Sequence, residues 1–151
     1  MPDHFRYYLR VRYAECDAQR VVFNARYGDY LELATTEFIR ALGMEGSMVN
    51  GRYDYQLVKQ TLEWKSAARF DQVLELSVHA PRLGNTSFTV ATEFRIAGED
   101  PIIATGETVY VLVVAETMEK STLPDDVREV LSRGGAGLAT DHAGYLTAPT
   151  T

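Results

Sequence analysis

The sequence predicts an α+β protein: a curved antiparallel sheet of five strands against one long helix, with a short C-terminal helix. Three observations carry this. Five stretches of strand length either alternate apolar and polar residues or run almost wholly apolar. One stretch repeats its apolar residues at three- and four-residue spacing, which marks an amphipathic helix. The last four strands are separated by short turns, so they are antiparallel neighbours. A chain of 151 residues fits one domain, expected over 1–135, with 136–151 as a mobile tail that has little to bury.

The elements justify themselves in order. Phe5, Tyr7, Leu9, Val11 and Tyr13 alternate with Arg6, Tyr8, Arg10 and Arg12, so 5–13 predicts a half-buried strand. A loop follows, and then Tyr27, Tyr30, Leu31, Ala34, Phe38 and Leu42 line one helix face. Asn24 is a good N-cap and Gly43 a good stop. Gly28 lies inside the helix, where glycine costs about 1 kcal/mol against alanine. Its presence is explained if another backbone or a ligand passes close by, or it is merely tolerated. In the connector 43–51, Met44 and Met48 are expected to cover the helix end, the alternative being that they line a flexible apolar pocket. The second strand is expected over 55–66, with Val58, Leu62 and Trp64 on one side. The third (72–80) turns Leu74, Leu76, Val78 and Ala80 inward, and the fourth (87–96) turns Phe88, Val90, Phe94 and Ile96 inward. Turn chemistry lies at 81–85 and 98–101. The fifth strand, 102–115, is apolar enough to be central. Pro124 followed by Asp125 and Asp126 opens a short helix ending at Arg133. One thin sheet with a single covering helix and open edges predicts self-association.

Composition narrows the function. Apolar residues make up 46% and charged residues 24% of the chain, as in a globular protein. A net charge of −6 argues against general nucleic-acid binding. One cysteine excludes an internal disulfide framework. No apolar run has membrane-spanning length, and residues 1–4 carry no signal-peptide pattern, so a cytoplasmic location is expected. Neither a Cys/His metal set nor a glycine-rich phosphate loop is present, so no metal and no separate cofactor are expected.

The chemistry concentrates between the first strand and the long helix. Asp17 is a lone loop acid beside a helix N-terminus, whose unpaired amides can stabilise developing negative charge. Read on its own, Asp17 is better taken as a solvated loop acid or local turn-former. Glu32 and Glu37 lie on the helix and read as rim acids pairing with arginine. His4, His79 and His142 fit no triad spacing. Cys16 is rejected as a nucleophile, because a neighbouring carboxylate raises a thiol pKa.

The stretches Arg12-Tyr13-Ala14-Glu15-Cys16-Asp17, Val21-Val22-Phe23-Asn24-Ala25-Arg26-Tyr27 and Tyr30-Leu31-Glu32, with Ala34, Glu37 and Phe38, are familiar. They resemble the hotdog-fold acyl-CoA thioesterases of the 4-hydroxybenzoyl-CoA thioesterase type. The resemblance implies a hotdog fold in which the sheet wraps around the long helix. It also implies hydrolysis of an acyl-CoA to free acid and CoA. By it, Asp17 matches the catalytic acid, as general base or nucleophile. Asn24 matches the helix-start position whose backbone N–H faces the thioester carbonyl. Tyr27 matches a helix residue beside the acyl pocket. Val22, Phe23, Tyr30 and Trp64 join it as candidate acyl-pocket residues and are equally good core residues. Lys59, Arg82 and Ser87, with Lys65, Asn85 and Thr86, are candidates for holding CoA, which is part of the substrate. The implied assembly is a homodimer or homotetramer with the pocket at a subunit interface. Arg20 departs from the family, which commonly has glycine there, and Asn24 stands where several members have histidine. Two rivals stay open: a non-catalytic acyl-thioester binding module, and a hydratase or dehydratase of the same fold.

Overall fold

The computed structural model describes residues 4–44, 48 and 51–147. The strands are β1 (Phe5–Arg10), β2 (Tyr53–Trp64), β3 (Val73–Leu83), β4 (Ser87–Ile96), β5 (Ile102–Val114) and β6 (Ala139–Asp141). The helices are α1 (Arg26–Ala41) and α2 (Asp125–Arg133). The sheet order is β2-β5-β4-β3-β1-β6. All pairings are antiparallel except β1 with β6, which is parallel. The sheet is therefore mixed and six-stranded, not the five-stranded antiparallel sheet that the sequence predicts.

Helix α1 packs its predicted stripe against the sheet. Tyr27, Tyr30, Leu31, Ala34 and Phe38 are all buried, as are Thr35 and Ile39. The close approach has a visible cause: a Cβ on Gly106 of β5 would lie 2.7 Å from a methyl carbon of Leu31. Glycine there lets the helix settle onto the central strand. Opposite Gly28 stands the Gln60 side chain of β2, 3.4 Å from where a Cβ would be. Among the described residues, a side-chain amide and no other backbone is what comes close. Gly43 ends the helix region at φ 81°, and the Met44 amide reaches back to the Ile39 carbonyl. Met44 and Met48 are both buried.

Departures from simple alternation have local causes. β1 stops at Arg10, and a one-turn 3-10 helix over Tyr13–Glu15 turns Tyr13 out to 73% exposure. On β2 a bulge between Leu57 and Lys59 switches the face pattern. Tyr53 and Tyr55 face inward before it, and Leu62 after it, while Val58 projects outward at 58% exposure. β3 continues through Pro81, which sits in a second irregularity between His79 and Arg82. β5 is central, paired on both sides.

The C-terminal stretch, expected to have little to bury, instead docks. Residues Ala139–Asp141 run alongside Arg6, Tyr7 and Tyr8 of β1. The His142 amide donates to the Tyr8 carbonyl, and Tyr145 stacks on the Tyr8 ring at 5.3 Å. The Asp141 carboxylate caps this turn by accepting the amides of Ala143 and Leu146. Backbone pairing to an open strand needs no apolar side chain, which is why composition gives no sign of it. Tyr8, predicted to face outward, is only 2% exposed. Ending the chain after Leu138 is expected to bare Tyr8 and lower stability by about 2 kcal/mol, measured by thermal unfolding.

Candidate active site

Residues 15–23 form a tight hairpin between β1 and α1. The Phe23 amide donates to the Glu15 carbonyl at 2.9 Å, and Cys16 and Val22 form an antiparallel bridge. At the tip, Asp17 N–H donates to Val21 O and Arg20 N–H donates to Asp17 O, each at 2.9 Å. This is the pattern of a hairpin loop closed by one bulge residue in the left-handed region, where glycine is favoured. That residue is Arg20, at φ 64°. The chain therefore keeps the loop shape that a glycine would give, with a longer side chain projecting from it. Arg20→Gly is expected to hold or raise the unfolding midpoint, whereas the β-branched Arg20→Val lowers stability by about 1–2 kcal/mol. Asp17 is exposed, and its Oδ1 accepts the Gln19 amide at 2.8 Å. The acid thus does form the turn, and its second oxygen has no hydrogen-bond partner among the described residues.

Helix α1 starts at Arg26 with Ala25 at the cap position, and no side chain caps it. The expected Asn24 cap is corrected: an intervening turn shifts the start, with Arg26 N–H donating to Phe23 O and Tyr27 N–H to Asn24 O. The consequence is chemical. Among the described residues, the amides of Asn24 and Ala25 donate to no backbone carbonyl. Both residues are exposed. Two successive free N–H groups at the positive end of a helix can receive an oxyanion.

The group that sequence reading passed over is Glu15, 5% exposed. Its Oε1 accepts the Arg12 amide at 2.8 Å and the Tyr30 hydroxyl at 2.9 Å. Its Oε2 accepts the Arg12 guanidinium at 3.0 and 3.3 Å. Burial alone would raise its pKa, but the hydrogen bonds from Arg12 and Tyr30 outweigh burial and hold the carboxyl below its ordinary value. Burial and then Glu15 push the Tyr30 phenol far up, so it stays a proton donor. The available signal was spacing: a glutamate three residues after Arg12, at the third position of a helical turn, reaches back to the cap amide.

The remaining candidates separate into two groups. Val22 and Tyr27 are buried, and Tyr27 packs edge-on to Trp64 at 6.0 Å and to Phe94 at 5.3 Å. Phe23 is 55% and Trp64 44% exposed. These residues gather around the hairpin and the start of α1. Tyr30 is fully buried with its hydroxyl committed to Glu15. Lys59 and Arg82 share one cross-sheet row, Lys59–Val109–Thr89–Arg82. That row lies five residues from Trp64 along β2, or about 16 Å. Arg82 is ion-paired with Glu107, and the Ser87 carbonyl accepts the Gly84 amide. Among the described residues, no hydrogen bond, ion pair or strand pairing joins this second group to Asp17. Elsewhere, Glu37 pairs with Arg40 and His79 stacks on His4. Burial, then Glu15 and Asp17, push the Cys16 thiol up. Three clefts stand out on the surface, and Asp17 lines none of them. No group of three or more His, Cys, Asp or Glu among the described residues could hold a metal, and no described helix could cross a membrane.

The strand order, with a long helix held against the sheet, is the arrangement that comparison with known proteins matches to hotdog-fold thioesterases. A solved structure of a hypothetical protein from Aquifex aeolicus superposes with a TM-score of 0.77 at 29% identity, covering 84% of this chain and 98% of that one. The 1,4-dihydroxy-2-naphthoyl-CoA thioesterase of Synechocystis superposes with a TM-score of 0.74 at 17% identity, over 85% and 95% of the two chains, and shows the fold alone. The family model of the thioesterase-like superfamily matches residues 11–131, and the chain belongs to that superfamily. The acyl-CoA thioester hydrolase YbgC of Escherichia coli is 29% identical over 124 residues, 82% of this chain and 92% of the relative.

Proposed function

We propose that the chain is an acyl-CoA thioester hydrolase, with Asp17 as its catalytic carboxylate and the amides of Asn24 and Ala25 as oxyanion donors. One observation carries this reading: a partly unpartnered acid and two free amides stand on adjoining segments of the hairpin–helix junction. A thioester is already activated, so hydrolysis needs stabilisation of the tetrahedral oxyanion and delivery of a nucleophile. As general base, Asp17 takes the proton of an attacking water. As nucleophile, it forms an acyl anhydride that water then opens. In both routes CoA leaves as a thiolate and needs no dedicated acid. The likeness to YbgC supports an acyl-CoA substrate.

The pocket is completed by a second copy. β2 lies at the open side of the sheet, with Leu57, Val58 and Trp64 exposed along it. A second chain there would wall in the Asp17 hairpin, and a homodimer or homotetramer follows. Lys59, Arg82 and Ser87 would then serve the nucleotide portion of CoA, from either subunit. Thiol release measured with short, long and aromatic acyl-CoAs tests the reading. Turnover by wild type and its loss in Asp17→Asn support it. Acyl-CoA binding without turnover of any substrate overturns it in favour of a binding module.

A further inference from the structure

The proposed chemistry asks two separate elements to meet at one carbonyl: the hairpin supplies the acid and α1 supplies the amides. We infer that the Glu15–Tyr30 hydrogen bond sets their relative position, making both positioning residues; this rests on the hydrolase reading. Glu15 belongs to the hairpin base, where its carbonyl receives the Phe23 amide. Its buried carboxylate receives the Tyr30 hydroxyl at 2.9 Å, and Tyr30 stands on α1 one turn beyond Arg26. The same oxygen receives the Arg12 amide, so strand exit, hairpin and helix are joined at one atom.

The opposite arm has a matching tie. The Val22 amide donates to the Ala68 carbonyl at 2.8 Å, and the Ala68 amide donates to the Tyr27 hydroxyl at 3.4 Å. Two tyrosines, three residues apart on one helix face, thus hold both arms of the hairpin, with their rings 6.0 Å apart. Tyr30 is fully buried, so its hydroxyl meets Glu15 rather than a substrate. A largely buried carboxylate whose Oε1 is bonded to the Arg12 amide and the Tyr30 hydroxyl, with only the exposed Arg12 guanidinium on its solvent side, is suited to placing its neighbour two residues on.

Tyr30→Phe keeps the ring and removes only the tie. Its kcat is expected to fall about tenfold with KM changed less than about twofold, because a small misplacement costs chemistry more than binding. Amide exchange at Asp17 and Phe23 is expected to rise about tenfold, while β3 and β4 amides keep wild-type rates and report that the variant is folded. Combining it with Asp17→Asn is expected to give no further loss beyond Asp17→Asn alone, since the tie acts through that acid. Unchanged exchange at Asp17 and Phe23 overturns the inference, whatever the activity. An inactive wild type whose Tyr30→Phe variant loosens those two amides overturns the hydrolase reading and keeps the tie.

Discussion

Asp17→Asn is expected to lower kcat by about 10²–10⁴-fold, the range for loss of a positioned base. The variant isolates charge from shape. Asparagine retains an Oδ1 acceptor for the Gln19 amide, the bond that Asp17 makes at 2.8 Å. The hairpin tip therefore keeps its turn, and asparagine itself favours such turns. Thermal unfolding of the variant should overlay wild type, while thiol release from acyl-CoA collapses. Stopped-flow measurement adds a mechanistic split. A burst of thiol in wild type under excess substrate signals an anhydride intermediate and assigns Asp17 as nucleophile. A linear onset excludes an accumulating anhydride. Wild-type rates in Asp17→Asn remove Asp17 from the chemistry.

Glu15→Ala is expected to cost about 3 kcal/mol, among the larger effects available to one substitution outside the apolar core. The cost has a definite origin. The Tyr30 hydroxyl, fully buried, would lose its acceptor, and the Arg12 amide and guanidinium would lose theirs. Arg12 is exposed and recovers water, so the penalty falls mainly on Tyr30. For a chain of this size the unfolding midpoint should drop by about 10 °C. The effect carries a pH signature. Folding lowers the Glu15 pKa below its ordinary 4.5. Its contribution is thus fully present above 4.5 and is lost as pH falls through the lower folded value. The stability gap between wild type and Glu15→Ala should be constant near neutrality and narrow in acid. A gap independent of pH down to acid unfolding would mean that the Glu15 charge does not stabilise the fold.

Much of the architecture was legible because apolar period and turn chemistry agree for most elements. Leu74, Leu76 and Val78 on β3 and Phe88 and Phe94 on β4 are buried as their alternation predicts. The misses share a cause: each depends on a partner distant in sequence or on one irregular backbone unit. The bulge beside Val58 reverses an otherwise readable strand. Tyr8 is buried because Tyr145, far along the chain, covers it. In the candidate site, the turn-forming place of Asp17 ahead of the helix was readable from local chemistry, whereas its proposed role came from the family resemblance. The expected Asn24 side-chain cap is absent because the helix begins at Arg26, which leaves the Asn24 and Ala25 backbone amides without carbonyl acceptors among the described residues. Glu15 escaped notice because glutamate so near a loop reads as solvated, and only the fold brings Tyr30 over it.

The three-residue strand laid beside β1 also limits how copies can combine. Parallel addition of Ala139–Asp141 occupies the amides along Arg6–Tyr8, and so short a segment offers little template to a newcomer. Among the described strands, the opposite margin, β2, is the long open one, twelve residues in length. Were two chains to pair there, backbone pairing would close at a symmetric pair, and a tetramer would have to form through other surfaces.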